Sequence, residues 1–112
     1  MRFCLEYKDS NLSDKTINSV SVSGKYAYLS TNFGVGEVDM DKCEFSNTYD
    51  LGIKVRSSIR HDGKIFAATG AGIYAGTVND NLLDKSNWKL MSSFIPNQFM
   101  EYGDKLYAST DD

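Results

Sequence analysis

His61 is the chain's single histidine, and Asp62 beside it completes the pair from which a general base or a metal site would be built. A neutral imidazole oriented by a carboxylate accepts protons near neutral pH. His61-Asp62-Gly63 also has the composition of a tight turn, because Asp and Gly tolerate positive φ and Asp bonds to its own backbone. The turn reading is the stronger one. No Ser or Cys nucleophile can be matched to a second base, so an acyl-transfer triad is not available. A hydrolase or lyase site would need His, Asp, Glu or Arg converging near the ends of inner strands. Only His61, Arg56 and Arg60 come near that pattern, and they do not complete it.

Asp39, Asp41 and Glu44 form the densest carboxylate group. Oxygen-rich loops attract Ca²⁺, but an EF-hand needs more ligands and a glycine at the bend. These residues therefore read as a solvated turn, and the terminal Asp111-Asp112 carries no weight. Gly70-Ala71-Gly72 could cradle a phosphate only if it opened a helix. The following Ile73-Tyr74-Ala75-Gly76-Thr77-Val78 reads as a strand, which rejects phosphate binding. Cys4 and Cys43 are too few for a disulfide scaffold and lack zinc-ligand spacing. They read as two half-buried small side chains rather than a disulfide, and they leave the redox compartment open. The sequence thus assigns no catalytic, cofactor-binding or metal-binding residue, implies no cofactor, and leaves any binding residue unknown.

Nine aromatic residues remain: Tyr26, Tyr28, Phe66, Tyr74, Trp88, Phe94, Phe99, Tyr102 and Tyr107. Exposed rings could stack on sugars. Most of them occupy repeated core positions, where packing between layers accounts for them, and Trp88 reads as the anchor of an outer strand.

The elements that must position these residues belong to one domain of 112 residues, with 41% hydrophobic and 24% charged residues. A net charge of −3 and scattered Lys and Arg argue against a nucleic-acid or anionic-membrane partner, both of which need clustered cations. No apolar stretch approaches the roughly 20 residues that cross a bilayer. Charges in Met1-Arg2-Phe3-Cys4-Leu5-Glu6-Tyr7-Lys8 fall where a signal peptide needs an apolar centre, so the chain itself carries no signal peptide.

Repeats organise the chain. Gly24-Lys25-Tyr26-Ala27-Tyr28-Leu29-Ser30-Thr31, Gly63-Lys64-Ile65-Phe66-Ala67-Ala68-Thr69 and Gly103-Asp104-Lys105-Leu106-Tyr107-Ala108-Ser109-Thr110 share one signature. With Tyr28, Phe66 and Tyr107 in register the steps are 38 and 41 residues, the size of a four-stranded propeller blade. A short alternating segment precedes each copy: Ile17 to Val22, Val55 to Arg60, and Gln98 to Tyr102. Period-two alternation predicts strands. Thr31-Asn32-Phe33-Gly34 and Thr69-Gly70-Ala71-Gly72 predict hairpins whose last glycine takes a left-handed or bulge conformation. Third strands follow at Val35 to Met40 and Ile73 to Val78, and outer strands at Phe45 to Leu51 and Trp88 to Ser92. Asn79 to Asn87 reads as a polar surface loop, with Asn81 to Lys85 long enough for one helical turn and no more.

The predicted fold is all-β, an incomplete β-propeller of antiparallel four-stranded blades, with two blades and the start of a third. Residues 1–16 supply a leading strand (Arg2 to Tyr7) and linker, 17–52 the first blade, 53–94 the second, and 95–112 a truncated third. A propeller closes at about four to eight blades. The chain is therefore expected to be a piece of a larger protein or to associate through its open blade edges, which are pairing hazards.

The order and spacing of Asp14-Lys15-Thr16-Ile17-Asn18, Ala27 to Val35, Asn47-Thr48-Tyr49-Asp50-Leu51-Gly52, Ile65 to Thr69, Gly72-Ile73-Tyr74, Asn81-Leu82-Leu83-Asp84 and Ser86-Asn87-Trp88 resemble the N-terminal propeller of PorZ-type proteins. These are surface-associated components of the type IX secretion system in Bacteroidetes. The sequence is similar, more loosely, to the propeller repeats of two-component regulator ectodomains. The resemblance covers about residues 10 to 110. It implies a non-catalytic structural and binding scaffold from an exported surface or periplasmic protein, with a protein or cell-surface polysaccharide as partner. The alternatives are a ligand-sensing regulator ectodomain and, further off, a propeller-based hydrolase or lyase.

Overall fold

The computed structural model describes residues 17–102 and 104–109. The alternating segments are strands throughout. The first antiparallel sheet runs β1 (Ile17–Ser23), β2 (Tyr26–Thr31), β3 (Gly34–Asp39), β4 (Glu44–Asp50) in sequence order. The second repeats that order with β5 (Val55–His61), β6 (Lys64–Thr69), β7 (Gly72–Thr77) and β8 (Lys89–Ser92). The third consists of β9 (Gln98–Tyr102) and β10 (Lys105–Ser109). β5 lies against β1 and β2, and β9 lies against β5, so the first strand of each sheet faces the next sheet. This is a partial β-propeller: two four-stranded blades and two strands of a third. The anticipated leading strand, Arg2 to Tyr7, falls outside the described residues.

Local chemistry sets the hairpins. Thr31 Oγ1 accepts the N–H of Gly34 (3.1 Å) and donates to its carbonyl (3.0 Å). Thr69 Oγ1 likewise donates to the Gly72 carbonyl (2.8 Å) and accepts the Ala71 N–H (3.1 Å). Both closing glycines are needed for space, since a Cβ at Gly72 would meet the Ser92 carbonyl, and Gly72 has a second reason. Gly72 has φ 130, open in practice only to glycine, whereas Gly34 lacks a positive φ. At Gly34 the reason is space, since a Cβ would collide with the Tyr49 carbonyl of the outer strand. The expected left-handed conformation is therefore absent at Gly34.

Alternation then sorts the faces. Tyr28 and Val35 of the first sheet, with Tyr49 of β4, pack on Val55, Ile65, Ala67, Leu82 and Trp88 of the second. Ala27, Leu29 and Val38 turn to the opposite face, with Ile17 and Met40 against them. Full burial of a side chain of this size stabilises by about 1.5–3 kcal/mol, so the main core lies between blades rather than within one. Outer strands β4 and β8 are mostly exposed, as their polar composition implies. In the loop before β8 the single helical turn is a 3₁₀ turn at Lys85–Asn87, later than Asn81 to Lys85, because Asp84 caps it by accepting the Ser86 N–H.

Candidate functional site

Asp62, Gly63 and Asp39, singled out for chemistry, each have a structural task. Asp62 (φ 54) and Gly63 (φ 76) both take positive φ between β5 and β6, the requirement of a two-residue type I′ hairpin. Asp62 is exposed, and His61 ends β5 paired with Lys64. Asp39 Oδ1 accepts the N–H groups of Asp41 (3.0 Å) and Lys42 (3.2 Å), and Oδ2 meets Lys25 Nζ at 3.4 Å. Burial pushes the Asp39 carboxyl up, but these hydrogen bonds and the Lys25 ammonium outweigh it and hold it below its ordinary value. Asp41 and Glu44 are exposed. Among the described residues no three His, Cys, Asp or Glu side chains converge on a metal-sized space. Gly70-Ala71-Gly72 leads into strand β7, not a helix.

Cys43 departs from the expectation of an unpaired thiol. It sits in the β3–β4 turn at φ 55 and is disulfide-bonded. Cys4, the chain's other cysteine, lies outside the described residues. Position within the repeat held no signal that Cys43 is bonded.

Instead, the polar groups collect in the seam between the two blades. Arg60 Nη1 donates to the Tyr28 hydroxyl (3.3 Å), which donates to Glu37 Oε2 (2.8 Å), while Asn47 Nδ2 donates to Glu37 Oε1 (2.9 Å). Tyr28 is fully buried and Glu37 nearly so. Nearer the inner strands, Ser19 Oγ donates to Ser30 Oγ (3.0 Å), Ser30 Oγ and Ser58 Oγ are hydrogen-bonded (2.7 Å), and Ser21 Oγ donates to the Ser58 carbonyl (2.8 Å). Asn18 Nδ2 reaches the Val55 carbonyl at 2.9 Å. Burial raises the Tyr28 phenol far above its ordinary value, Glu37 adds to the rise, and Arg60 opposes it. Tyr49 is pushed up to about 12, chiefly by burial. Both phenols stay protonated in the physiological range. The seam fixes how one blade docks on the next. Arg56 bonds instead to Asn97 (3.2 Å), so the two arginines do not converge.

The aromatics at one repeat position show a gradient of cover. Tyr28 is fully buried beneath the second blade, Phe66 is half-buried with Phe99 at 6.3 Å, and Tyr107 is 46% exposed. Phe94 and Tyr102 are exposed too, so packing between blades does not account for them or for Tyr107. Trp88 is buried. Its Nε1 donates to the Leu82 carbonyl (3.0 Å) and its ring lies 5.8 Å from Tyr49 at 60°. Beside it a groove of about 280 Å³ opens at the outer rim, lined by Leu51, Ile53, Tyr74, Lys85 and Trp88. The sequence gives no sign of this groove, because Leu51 and Ile53 lie more than twenty residues before Tyr74, Lys85 and Trp88.

Comparison with known proteins bears on this arrangement. A family model described as the N-terminal β-propeller domain of PorZ, from the type IX secretion system, matches residues 4–89. A solved structure of PorZ from Porphyromonas gingivalis, described as an essential bacterial surface component of that system, superposes with a TM-score of 0.72 at 24% identity. The match covers 81% of this chain and 13% of that one, and at this identity it is a likeness of fold. None of the curated proteins matches.

Proposed function

The chain belongs to the family of PorZ N-terminal β-propeller domains, and from that premise we propose that it is a non-catalytic propeller segment of a type IX secretion component, serving as a structural and binding scaffold at the cell surface or in the periplasm. The family match over residues 4–89 carries this reading. Two features of the chain support it. The seam residues Tyr28, Glu37, Asn47, Arg60, Ser30 and Ser58 are engaged with one another, which suits a rigid scaffold better than a reactive site. The disulfide at Cys43 suits an exported protein, because disulfides persist in oxidising compartments. Among the described residues no helix is long and apolar enough to cross a membrane.

The partner proposed is a protein surface, with a cell-surface polysaccharide as the second class. A tagged full-length product should be accessible to protease added to intact cells, and a strain lacking it should fail to deliver type IX cargo. Cytoplasmic retention of the product, or unimpaired cargo delivery without it, would overturn the assignment.

The gradient from Tyr28 to Tyr107 supports a further part of the scaffold reading. Met100 and Tyr107 pair across β9 and β10 and are both exposed, on the face that in the first two sheets is turned toward the next blade. Where this face has no following blade, copies of the chain associate through it.

A further inference from the structure

The groove at the outer rim lies apart from the polar contacts of the seam and shares Trp88 with the apolar core between the blades. Leu51 and Ile53, in the connection from β4 to β5, form one wall; Tyr74 of β7 and Trp88 form the rest; Lys85 stands at the mouth. Tilted packing of Tyr49 on Trp88 and the bond from Trp88 Nε1 to Leu82 hold the wall contributed by the second blade. Lys85 is exposed, and among the described residues no ion pair engages it. The neighbouring carboxylates are turned to other work: Asp84 accepts the N–H (3.0 Å) and hydroxyl (2.7 Å) of Ser86, and Asp50 accepts the N–H of Gly52 (2.9 Å).

Drug-sized ligands take cavities of about 300–1,000 Å³, so a groove of this size suits one anchoring side chain better than a whole small molecule. Four of its five lining residues are apolar or aromatic, the surroundings in which interface anchors are found. A neutral partner laid over the mouth would strip water from the Lys85 ammonium without replacing it, whereas a carboxylate compensates with a charge-assisted hydrogen bond. We propose that this groove is a docking site for a partner polypeptide that inserts one large apolar side chain against Tyr74 and Trp88 and pairs an adjacent carboxylate with Lys85. The inference rests on the scaffold reading and supplies the chemistry of its partner.

Trp88 is the chain's single tryptophan, so its indole N–H resonance reports groove occupancy without ambiguity. The full chain is titrated with three end-blocked dipeptides, acetyl-Asp-Phe-amide, acetyl-Asn-Phe-amide and acetyl-Asp-Ala-amide. The first should shift the Trp88 resonance saturably, and the other two should bind about tenfold more weakly or less, as loss of a charge pair or an anchor implies. In Lys85→Gln the Asp-Phe probe should fall to the level of Asn-Phe, with the urea midpoint of the free protein unchanged within error. No saturable shift with Asp-Phe, equal binding of all three probes, or an unchanged preference in Lys85→Gln overturns the proposal. Because these titrations use the purified chain, they are decided independently of the secretion assay.

Discussion

The guanidinium of Arg60, on the second blade, donates across the seam to the hydroxyl of Tyr28 on the first at 3.3 Å. The hydroxyl in turn donates to Glu37 Oε2 at 2.8 Å, so a buried carboxylate of one blade is linked through a phenol to a cation of the next. At the corresponding positions of the next junction stand Phe66 and Ala75, and the contact there is the aromatic pair Phe66–Phe99. The two junctions are therefore not interchangeable. The polar one ties blade order to specific partners.

Tyr28→Phe removes a buried hydrogen bond to Glu37 Oε2 and also the acceptor for Arg60. Leaving a buried polar group unpaired costs about 1–3 kcal/mol, more when it is charged. Urea denaturation of the variant should show a loss in that range. A double-mutant cycle with Arg60→Met should return a coupling energy of about 0.5 kcal/mol or more. Independent, additive losses would mean that the seam contact carries no energy.

The two raised phenols predict a loss of stability in alkali. Tyrosine in an unfolded chain ionises near pH 10, about its unperturbed value. In the fold Tyr49 holds its proton to about 12, and Tyr28 is raised further. Above about pH 10 the unfolded state binds fewer protons than the native state, so stability falls as pH rises. It is fully present below that point and lost progressively toward and beyond pH 12. Denaturant midpoints should decline over this window, and the phenolate absorbance of the native protein should keep a late-rising component from Tyr28 and Tyr49. A phenolate rise that is complete near pH 10 would contradict the buried seam.

The turn at Asp62-Gly63 separates conformation from catalysis. Asp62→Asn keeps a residue tolerant of positive φ and should change stability by less than about 0.5 kcal/mol. Asp62→Val places a β-branched residue at φ 54 and should cost about 1–3 kcal/mol, the typical charge for a strained backbone position. Thermal or urea unfolding distinguishes them. Equal effects of both substitutions would show that the carboxylate, rather than the backbone conformation, is what the position requires.

Self-association should track the third sheet. Light scattering over a concentration series should give a mass above one chain, and Met100→Glu, which puts a charge on the exposed face, should lower it toward one chain. A single-chain mass at high concentration would refute association through this face. An unchanged oligomer in Met100→Glu would place the contact elsewhere.

By itself the sequence determined what is local. Alternation in Ile17 to Val22 and Val55 to Arg60 dictates strands and their two faces, because side chains on extended backbone point alternately to opposite sides. Thr31, Thr69, Asp62 and Gly63 mark hairpins because their side chains, or the lack of one, decide which backbone angles are accessible. The repeat of these signals in order identified the blades and the family.

Tertiary structure alone decided what each repeated position became. Tyr28, Phe66 and Tyr107 are equivalent in the repeat, yet one is sealed, one half-covered and one exposed. Their cover comes from the next sheet, which begins more than twenty-five positions away. The link from Asn47 through Glu37 and Tyr28 to Arg60 and the groove between Leu51, Ile53, Tyr74, Lys85 and Trp88 have the same origin. Periodicity reports which way a side chain points; only the packing of one sheet on another decides what it meets there.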